Sequence, residues 1–225
     1  MPVLTVIAGP NGSGKSTLIA ALRSQGVEFG TYFNADDIAA GLTGLPVEVA
    51  RQAQEMVREK RAEALAKGID HSFETVMSHV SHVEYMRAAR ESGFEVRLFF
   101  VATDNPDINL GRVANRVEHG GHDVPQDRVV ARYSRCLENL PSAIVASDQA
   151  WIFDNSQADE PLRLLAKISD RKLTHTMGGY RDNLFERMAR LVAGLDVHPD
   201  LIPAWWLSIL LELKPVNTFS NGPLA

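Results

Sequence analysis

The chain has 225 residues, of which 45% are hydrophobic, 23% charged and 7% aromatic. This composition excludes a disordered or collagen-like protein, and the length predicts about one and a half domains at roughly 150 residues each. A net charge of -5 excludes a chain-wide basic field for nucleic acid or an anionic membrane, and a single cysteine, Cys136, excludes an intrachain disulfide.

The apolar pattern predicts alternating strands and helices. Strands are expected at residues 3–8, 31–34, 69–76, 95–102 and 149–153, and helices at residues 15–23, 46–67, 79–92, 107–117 and 125–140. Because parallel strands need long crossover connections, this order predicts an α/β fold with a five-stranded parallel sheet and helices on both faces. We expect residues 1–170 to form this domain and residues 171–225 to form a helical C-terminal extension packed on it.

The two ends of the sequence lack a targeting or membrane-spanning pattern. The N-terminus has no basic leader and no cleavable signal, which predicts a cytoplasmic protein. Residues 201–213 are strongly apolar but shorter than the about 20 residues that a bilayer crossing needs. We expect this segment to pack on the domain. The alternative is a surface for self-association or a partner through Trp205 and Trp206.

A phosphate-binding motif, G-x-x-x-x-G-K-[ST], stands between the first predicted strand and the first predicted helix. It comprises Gly9, Pro10, Asn11, Gly12, Ser13, Gly14, Lys15 and Ser16. Glycines let backbone N–H groups approach phosphate oxygens, and the helix N-terminus adds positive potential. We expect Lys15 to contact the outer phosphates, Ser16 to ligate Mg²⁺, and Thr17 to lie in the same site. The motif predicts binding of a nucleoside triphosphate, ATP or GTP.

The motif alone leaves a phosphotransferase, a mechanical ATPase and a GTPase open. No guanine-selecting Asn/Thr-Lys-x-Asp element follows the fourth strand, which disfavours a GTPase. Asp104 is a candidate for the metal-linked acid of a motor ATPase. The sequence Asp104-Asn105-Pro106 favours a turn or a helix cap at Asp104 instead.

Two carboxylates are predicted on the acceptor side, because ligands of such sheets collect at the carboxyl ends of the strands. Asp36 follows the second strand and is a candidate general base for an acceptor hydroxyl. The alternative for Asp36 is a helix N-cap, and Asp37 competes for both roles. Glu74 ends the third strand, with Thr75 beside it, and is a candidate for binding the acceptor. Its alternative is a buried salt bridge.

Five arginines between the fourth and fifth strands predict a lid: Arg112, Arg116, Arg128, Arg132 and Arg135. Arg112 and Arg116 are spaced i,i+4 and therefore share one face of a helix. Arg128 and Arg132 have the same spacing and share a face of the next helix. Hinged at residues 120–125, these helices would bring guanidinium groups over the triphosphate. The alternative is ion pairing with Glu118, Asp127 and Glu138.

Two further observations concern the region of the arginines. His122 in the hinge has no second histidine or cysteine at ligand spacing, so we expect it to hydrogen-bond rather than to bind a metal. No aromatic residues interleave with the arginines, so a nucleic-acid surface is not expected there.

Four ordered motifs resemble those of the zeta-toxin family of P-loop kinases. They are residues 9–16, residues 33–38 (FNADDI), residues 73–75 (FET), and residues 116–125 followed by Arg132 and Tyr133. The resemblance covers about residues 1–160 and implies a shikimate-kinase-like or adenylate-kinase-like core. It also implies ATP- or GTP-dependent transfer of a phosphoryl group to a sugar hydroxyl of a UDP-N-acetylhexosamine.

Carried over by position, the resemblance implies roles for individual residues. Lys15 and Ser16 would hold phosphates and Mg²⁺, Asp36 would be the general base, and Glu74 would bind the sugar. Arg116 and Arg132 would clamp the phosphates. Apart from the resemblance, we expect Arg112 and Arg128 to lie in the nucleotide site as well, and Asp37 and Thr75 on the acceptor side.

The resemblance further implies the toxin of a toxin–antitoxin pair, restrained by a small helical antitoxin. Two alternatives stay open: a P-loop kinase for another small metabolite or nucleoside, and an ATPase or nucleotide-dependent switch without an acceptor. Neither a nucleic acid nor a membrane is expected as a partner.

Overall fold

A computed structural model describes residues 1–120, 124–169 and 172–175. The strands are β1 (Val3–Ala8), β2 (Thr31–Phe33), β3 (His71–Thr75), β4 (Glu95–Ala102), β5 (Gln149–Asp154), β6 (Arg163–Ser169) and β7 (Lys172–His175). The helices are α1 (Lys15–Ser24), α2 (Ala35–Ala39), α3 (Pro46–Ala66), α4 (Ser81–Glu91), α5 (Pro106–Glu118) and α6 (Gln126–Ala146). All the strands form one sheet in the order β2-β3-β1-β4-β5-β6-β7.

The first five strands pair in parallel, which confirms the predicted parallel sheet. The sequence does not predict β6 and β7, which extend the sheet antiparallel beyond β5. The helical extension predicted from residue 171 begins instead with the strand at residues 172–175. The remainder of that prediction, including the apolar residues 201–213, lies outside the described residues.

The central strands are apolar on both sides because both faces of the sheet are covered. In β1, Leu4 and Val6 pack in a core with residues of α4 and α6, whereas Ile7 packs with α1. Phe100 and Phe99 of β4 divide in the same way. Burying an aliphatic or aromatic side chain contributes roughly 1.5–3 kcal/mol, so these two clusters stabilise the centre of the sheet. The glycine-rich loop directly follows β1, one of these central strands.

The helices predicted to carry the arginine lid are α5 and α6, which pack against each other. Val113 of α5 and Val129 of α6 are buried. His122 and the rest of residues 121–123 lie outside the described residues. No helix in the described ranges is long and apolar enough to cross a membrane. The cytoplasmic location stays a prediction.

Candidate active site

The glycine-rich loop, residues 9–16, joins β1 to α1 at the carboxyl edge of the sheet. Gly9 and Gly14 adopt φ angles of 151° and 103°. A Cβ at Gly9 would lie 2.0 Å from the carbonyl oxygen of Val101, and one at Gly14 would lie 2.3 Å from Nδ2 of Asn155. These distances are far below van der Waals contact, so no larger residue fits either position. The loop backbone is therefore pressed against β4 and the residue after β5.

The glycine-rich loop offers hydrogen-bond donors that suit a phosphate group. Oγ of Ser13 is buried without a hydrogen-bond partner within the described ranges, and its hydroxyl can donate to a phosphate oxygen. The first turn of α1 presents its N–H groups and the exposed side chains of Ser16 and Thr17 at the same place. Mg²⁺ takes one or two protein oxygens together with phosphates and water, and the Ser16 hydroxyl is such an oxygen. Ser16 is therefore the residue that would hold the metal.

Lys15 is buried, and its ammonium group points into the loop. Nζ donates hydrogen bonds to the carbonyl oxygens of Gly9 (2.9 Å) and Pro10 (3.0 Å). Oε1 of Glu74 lies 3.8 Å from the same Nζ. Burial lowers the pKa of Lys15, the Glu74 carboxylate opposes this shift, and the nearby Arg116 charge adds to it. The structure thus brings together Lys15 and Glu74, which the sequence predicts to contact the phosphates and the acceptor, and it places Arg116 close enough to influence Lys15.

Glu74, in β3, contacts Lys15 on one side and Tyr32 on the other. Its side chain is 25% exposed, so it combines an ion pair with Lys15 and contact with solvent. The hydroxyl of Tyr32, in β2, donates a hydrogen bond to Oε2 at 3.3 Å. Burial and the Glu74 carboxylate both raise the pKa of Tyr32, so its hydroxyl stays protonated as a donor. Sequence reasoning missed Tyr32, although it precedes Asp36 on the same strand-to-helix connection.

Thr75 supports the backbone after β3. Its carbonyl oxygen accepts a hydrogen bond from the Gly9 N–H at 3.3 Å. Its Oγ1 accepts one from the N–H of Met77 at 2.9 Å, and Met77 has a φ of 56° that a non-glycine residue rarely adopts. Asn139 of α6 donates to the Met77 carbonyl at 2.9 Å. Thr75 therefore anchors a turn beside Glu74, and its predicted contact with an acceptor stays a prediction.

Asp36 and Asp37 are both exposed in the first turn of α2. The N-cap of this helix is Asn34, whose Oδ1 accepts a hydrogen bond from the Asp36 N–H at 2.9 Å. The capping role considered for Asp36 is therefore filled by Asn34, because the residue with an extended backbone caps the helix and Asp36 is already helical. Asp37 lies close enough to Tyr32 to contribute to its raised pKa. The role of Asp36 as general base stays a prediction.

The cap predicted at Asp104 is also displaced by one residue. Asn105 caps α5, with its Oδ1 accepting a hydrogen bond from the N–H of Asp107 at 2.8 Å. Asp104 instead lies beside Asp154 at the ends of β4 and β5, where burial and then Asp154 raise its pKa. The Asp104 N–H donates to Oγ of Ser156 at 2.8 Å.

Of the predicted arginines, Arg112 and Arg116 lie on α5, and Nη1 of Arg112 is buried without a partner among the described residues. Arg128 is exposed and Arg132 half-buried on α6, and Nε of Arg135 donates to the Ala131 carbonyl at 3.1 Å. Within the described ranges, no ion pair joins Arg112, Arg128, Arg132 or Arg135 to Glu118, Asp127 or Glu138. The alternative of surface ion pairing does not account for these four side chains.

Asn109 and Asn155, which the sequence analysis did not select, also contact the loop. Nδ2 of Asn109 donates to the Asn11 carbonyl at 2.5 Å, and Nδ2 of Asn155 donates to the Ser13 carbonyl at 2.8 Å. Asn155 directly follows β5, so the rule that selected Glu74 at the end of β3 also applies to it. Asn109 is a buried residue within an amphipathic helix and carries no such signal.

Two solved structures with the same fold are those of the AvrRxo1-ORF1:-ORF2 complex and of the PezAT system. The AvrRxo1-ORF1:-ORF2 complex with ATP superposes with a TM-score of 0.61 at 16% identity, covering 95% of this chain and 76% of that chain. A structure of the PezAT chromosomal toxin-antitoxin system of Streptococcus pneumoniae superposes with a TM-score of 0.55 at 16% identity, covering 86% and 85%. At such identities the likeness shows the fold alone, which is the P-loop kinase-like α/β fold predicted from the sequence.

Comparison of the amino-acid sequence with known proteins identifies a relative and a family of this protein. An uncharacterized protein of Haemophilus influenzae is 31% identical over 130 residues, which are 56% of this chain and 88% of that protein. The family described as AAA domain, AAA_33, matches residues 4–140. That span is more than half of the chain and contains the glycine-rich loop, Glu74 and α5. The protein therefore belongs to the AAA_33 family of P-loop AAA domains.

Proposed function

We propose that the protein is a kinase that transfers the γ-phosphoryl group of ATP or GTP to a hydroxyl of a small acceptor. The observation that carries this proposal is the position of Glu74, whose two carboxylate oxygens lie 3.8 Å from Nζ of Lys15 and 3.3 Å from the hydroxyl of Tyr32. A partly exposed carboxylate beside the P-loop lysine offers an acceptor hydroxyl a binding partner next to the γ-phosphate. An ATPase without an acceptor has no need of that surface.

The proposed reaction is an in-line transfer. An acceptor hydroxyl oxygen forms a bond to the γ-phosphorus, and the bond from that phosphorus to the β–γ bridging oxygen breaks. The products are a phosphate ester and ADP or GDP. Asp36 accepts the hydroxyl proton, while Lys15 and Arg116 stabilise negative charge on the transferred group. Mg²⁺, held in part by Ser16, would neutralise charge on the phosphate oxygens.

We propose a sugar hydroxyl of a UDP-N-acetylhexosamine as the acceptor, and a role as the toxin of a toxin–antitoxin pair with a small helical antitoxin. The ordered motifs that resemble the zeta-toxin family support this finer proposal. The shared fold with the PezAT toxin-antitoxin structure is consistent with it. Another small metabolite or a nucleoside as acceptor is the alternative within the same reaction class.

Mass spectrometry of the products tests the reaction. The purified protein is incubated with Mg-ATP or Mg-GTP and with UDP-N-acetylhexosamines, other nucleotide sugars, nucleosides and free sugars. We expect one acceptor class to gain a phosphoryl group. Lys15→Ala should abolish the product, and Asp36→Asn should lower kcat by about 10²- to 10⁴-fold while ATP binding is retained.

Two further variants sharpen this test. Glu74→Gln should raise KM for the acceptor, whereas Glu91→Gln, an exposed acid at the end of α4, should behave as the parent. Nucleotide hydrolysis that needs no acceptor and survives Asp36→Asn would contradict the kinase and support the ATPase. Product formed only from a free sugar or a nucleoside would retain the kinase and remove the nucleotide-sugar acceptor.

Growth measurements test the toxin role separately. Overproduction of the protein in bacteria is expected to arrest growth, and overproduction of Asp36→Asn at the same level is not. Equal growth of the two strains would remove the toxin role and leave the enzymatic proposal in place.

A further inference from the structure

Two buried asparagines outside the phosphate-binding motif hold the glycine-rich loop from different elements. Asn109 of α5 is 0% exposed, and its Nδ2 bonds the Asn11 carbonyl from one side of the loop. Asn155, after β5, is 8% exposed, and its Nδ2 bonds the Ser13 carbonyl from another. Both bonds thus go to main-chain carbonyls within the loop.

A bond to a carbonyl also orients the next N–H group in the chain. The peptide unit is planar, and in the trans form its C=O and N–H point in opposite directions. The described residues contain no cis peptide bond. Because Asn109 holds the Asn11 carbonyl, the Gly12 N–H points away from Asn109. The Gly14 N–H likewise points away from Asn155, which holds the Ser13 carbonyl. Within the described ranges, neither of these N–H groups donates to a protein acceptor.

We propose that Asn109 and Asn155 are positioning residues that aim the Gly12 and Gly14 N–H groups at the phosphates. Asn109 also links phosphate binding by the loop to α5, the helix that carries Arg112 and Arg116. The inference rests on the nucleotide binding in the proposed function and deepens it. The two side chains touch the loop and act on the nucleotide through it.

The amide of Asn155 is held at both of its ends. The side-chain Oδ1 of Asn155 accepts a hydrogen bond from the Leu162 N–H at 3.2 Å. The main-chain N–H of Asn155 donates to the Ala102 carbonyl at 2.8 Å. Gly14 approaches so closely that any Cβ there would overlap Nδ2. Asn155 therefore connects the glycine-rich loop by hydrogen bonds to the end of β4 and to the chain entering β6.

The amide of Asn109 has its orientation set by chemistry as well as by packing. The Asn11 carbonyl can only accept, so Nδ2 must face it, and Oδ1 then accepts from the hydroxyl of Thr103. Thr103 is 0% exposed, and its carbonyl accepts a hydrogen bond from the Tyr133 hydroxyl at 2.6 Å. The network joins the loop to α5, to the end of β4 and to α6.

Asn109 also lies on the same face of α5 as two of the predicted lid arginines. Asn109, Arg112 and Arg116 are spaced i, i+3 and i+7, which places them along one side of a helix. Gly12 packs directly against the start of this series, because a Cβ there would lie 2.6 Å from the Asn109 carbonyl oxygen. Loss of the Asn109 amide is thus expected to disturb the loop and the arginines together. Loss of the Asn155 amide is expected to disturb the loop and the chain entering β6, but not the arginines of α5.

Calorimetric titration with Mg-ADP and with a non-hydrolysable ATP analogue tests the proposal. Asn109→Ala and Asn155→Ala should each weaken binding at least about fivefold, the effect of leaving a buried carbonyl without its donor. Asn109→Leu and Asn155→Leu keep the branched side-chain shape and add no charge but lose the donor, so they should weaken binding as well. A packing role alone would leave these leucine variants with about the parental Kd. The matched control is Gln149→Ala, which removes an amide hydrogen bond to Glu95 (2.8 Å) at the opposite, amino-terminal edge of the sheet and should keep the parental Kd.

A double-mutant cycle tests the link to α5. Asn109→Ala combined with Arg116→Ala should be non-additive for the ATP analogue, whereas Asn155→Ala combined with Arg116→Ala should be additive. Thr103→Val provides a second route if Asn109→Ala does not fold, because it releases the Asn109 amide without touching the loop. Parental affinity in both asparagine variants, or additivity in both cycles, would overturn the proposal. Absence of nucleotide binding in the parent would instead refute the proposed function on which it rests.

Discussion

His82 predicts a measurable dependence of stability on pH. It lies in the first turn of α4 against Phe73, with ring centroids 6.0 Å apart, and its Nδ1 is buried without a hydrogen-bond partner among the described residues. Burial, and then the charges of Arg61 and His79, lower the pKa of His82 from its ordinary value of 6.5 to about 4. The Arg61 guanidinium is itself stacked on Phe73, 3.9 Å from the ring centroid. The histidine is thus held neutral beside a cation.

The sign and the size of the effect follow from proton linkage. Between about pH 4 and pH 6.5 the unfolded chain binds more protons at this site than the folded chain, so stability falls as the pH falls. At about pH 5 the unfolded histidine is almost fully protonated and the folded one is mostly neutral. The difference of about 1.5 pH units from the unfolded pKa corresponds to a loss of about 2 kcal/mol relative to pH 8.

Urea denaturation of the parent and of His82→Gln at about pH 8, 6.5 and 5 measures this loss. The free energy of unfolding of the parent should fall by about 2 kcal/mol more than that of the variant over this range, with equal m-values. His119→Gln, at an exposed histidine after α5, is the matched control for removing a histidine as such. Parallel pH profiles for the parent and His82→Gln would refute the reasoning.

Three shorter predictions concern the loop and the core. Gly14→Ala, which places a Cβ 2.3 Å from Nδ2 of Asn155 at a φ of 103°, should weaken nucleotide binding at least about tenfold in a titration, and parental affinity would show that the loop relaxes. The thiol of Cys136 is 0% exposed and burial raises its pKa, so a disulfide reagent should label this single cysteine only after unfolding; rapid labelling of the native protein would contradict its burial. Leu140→Ala should lower the free energy of unfolding, measured by urea denaturation, by about 2–5 kcal/mol, because Leu140 is fully buried. Leu45→Ala, at a side chain that is 66% exposed, should change it little. Similar losses for both variants would contradict the described packing.

The sequence by itself determined the glycine-rich loop and the parallel strands around it, because these features are local. The spacing of glycines, lysine and serine requires one loop shape, and a strand buried on both faces is a continuous apolar run. The bounds of β4, Glu95–Ala102, coincide with the predicted residues 95–102. The rule that polar residues after parallel strands meet at one edge selected Glu74, which the structure places beside Lys15.

Only the tertiary structure decided which side chains hold that loop and where the sheet ends. Asn109 and Asn155 are 98 and 142 residues from the carbonyls that they bond, and Tyr32 is 42 residues from Glu74. The strand β6 depends on antiparallel pairing with β5 rather than on a strong apolar run of its own. A hydrogen bond between such distant residues is set by the packing of whole elements, and so it leaves no periodic or spacing signal in the chain.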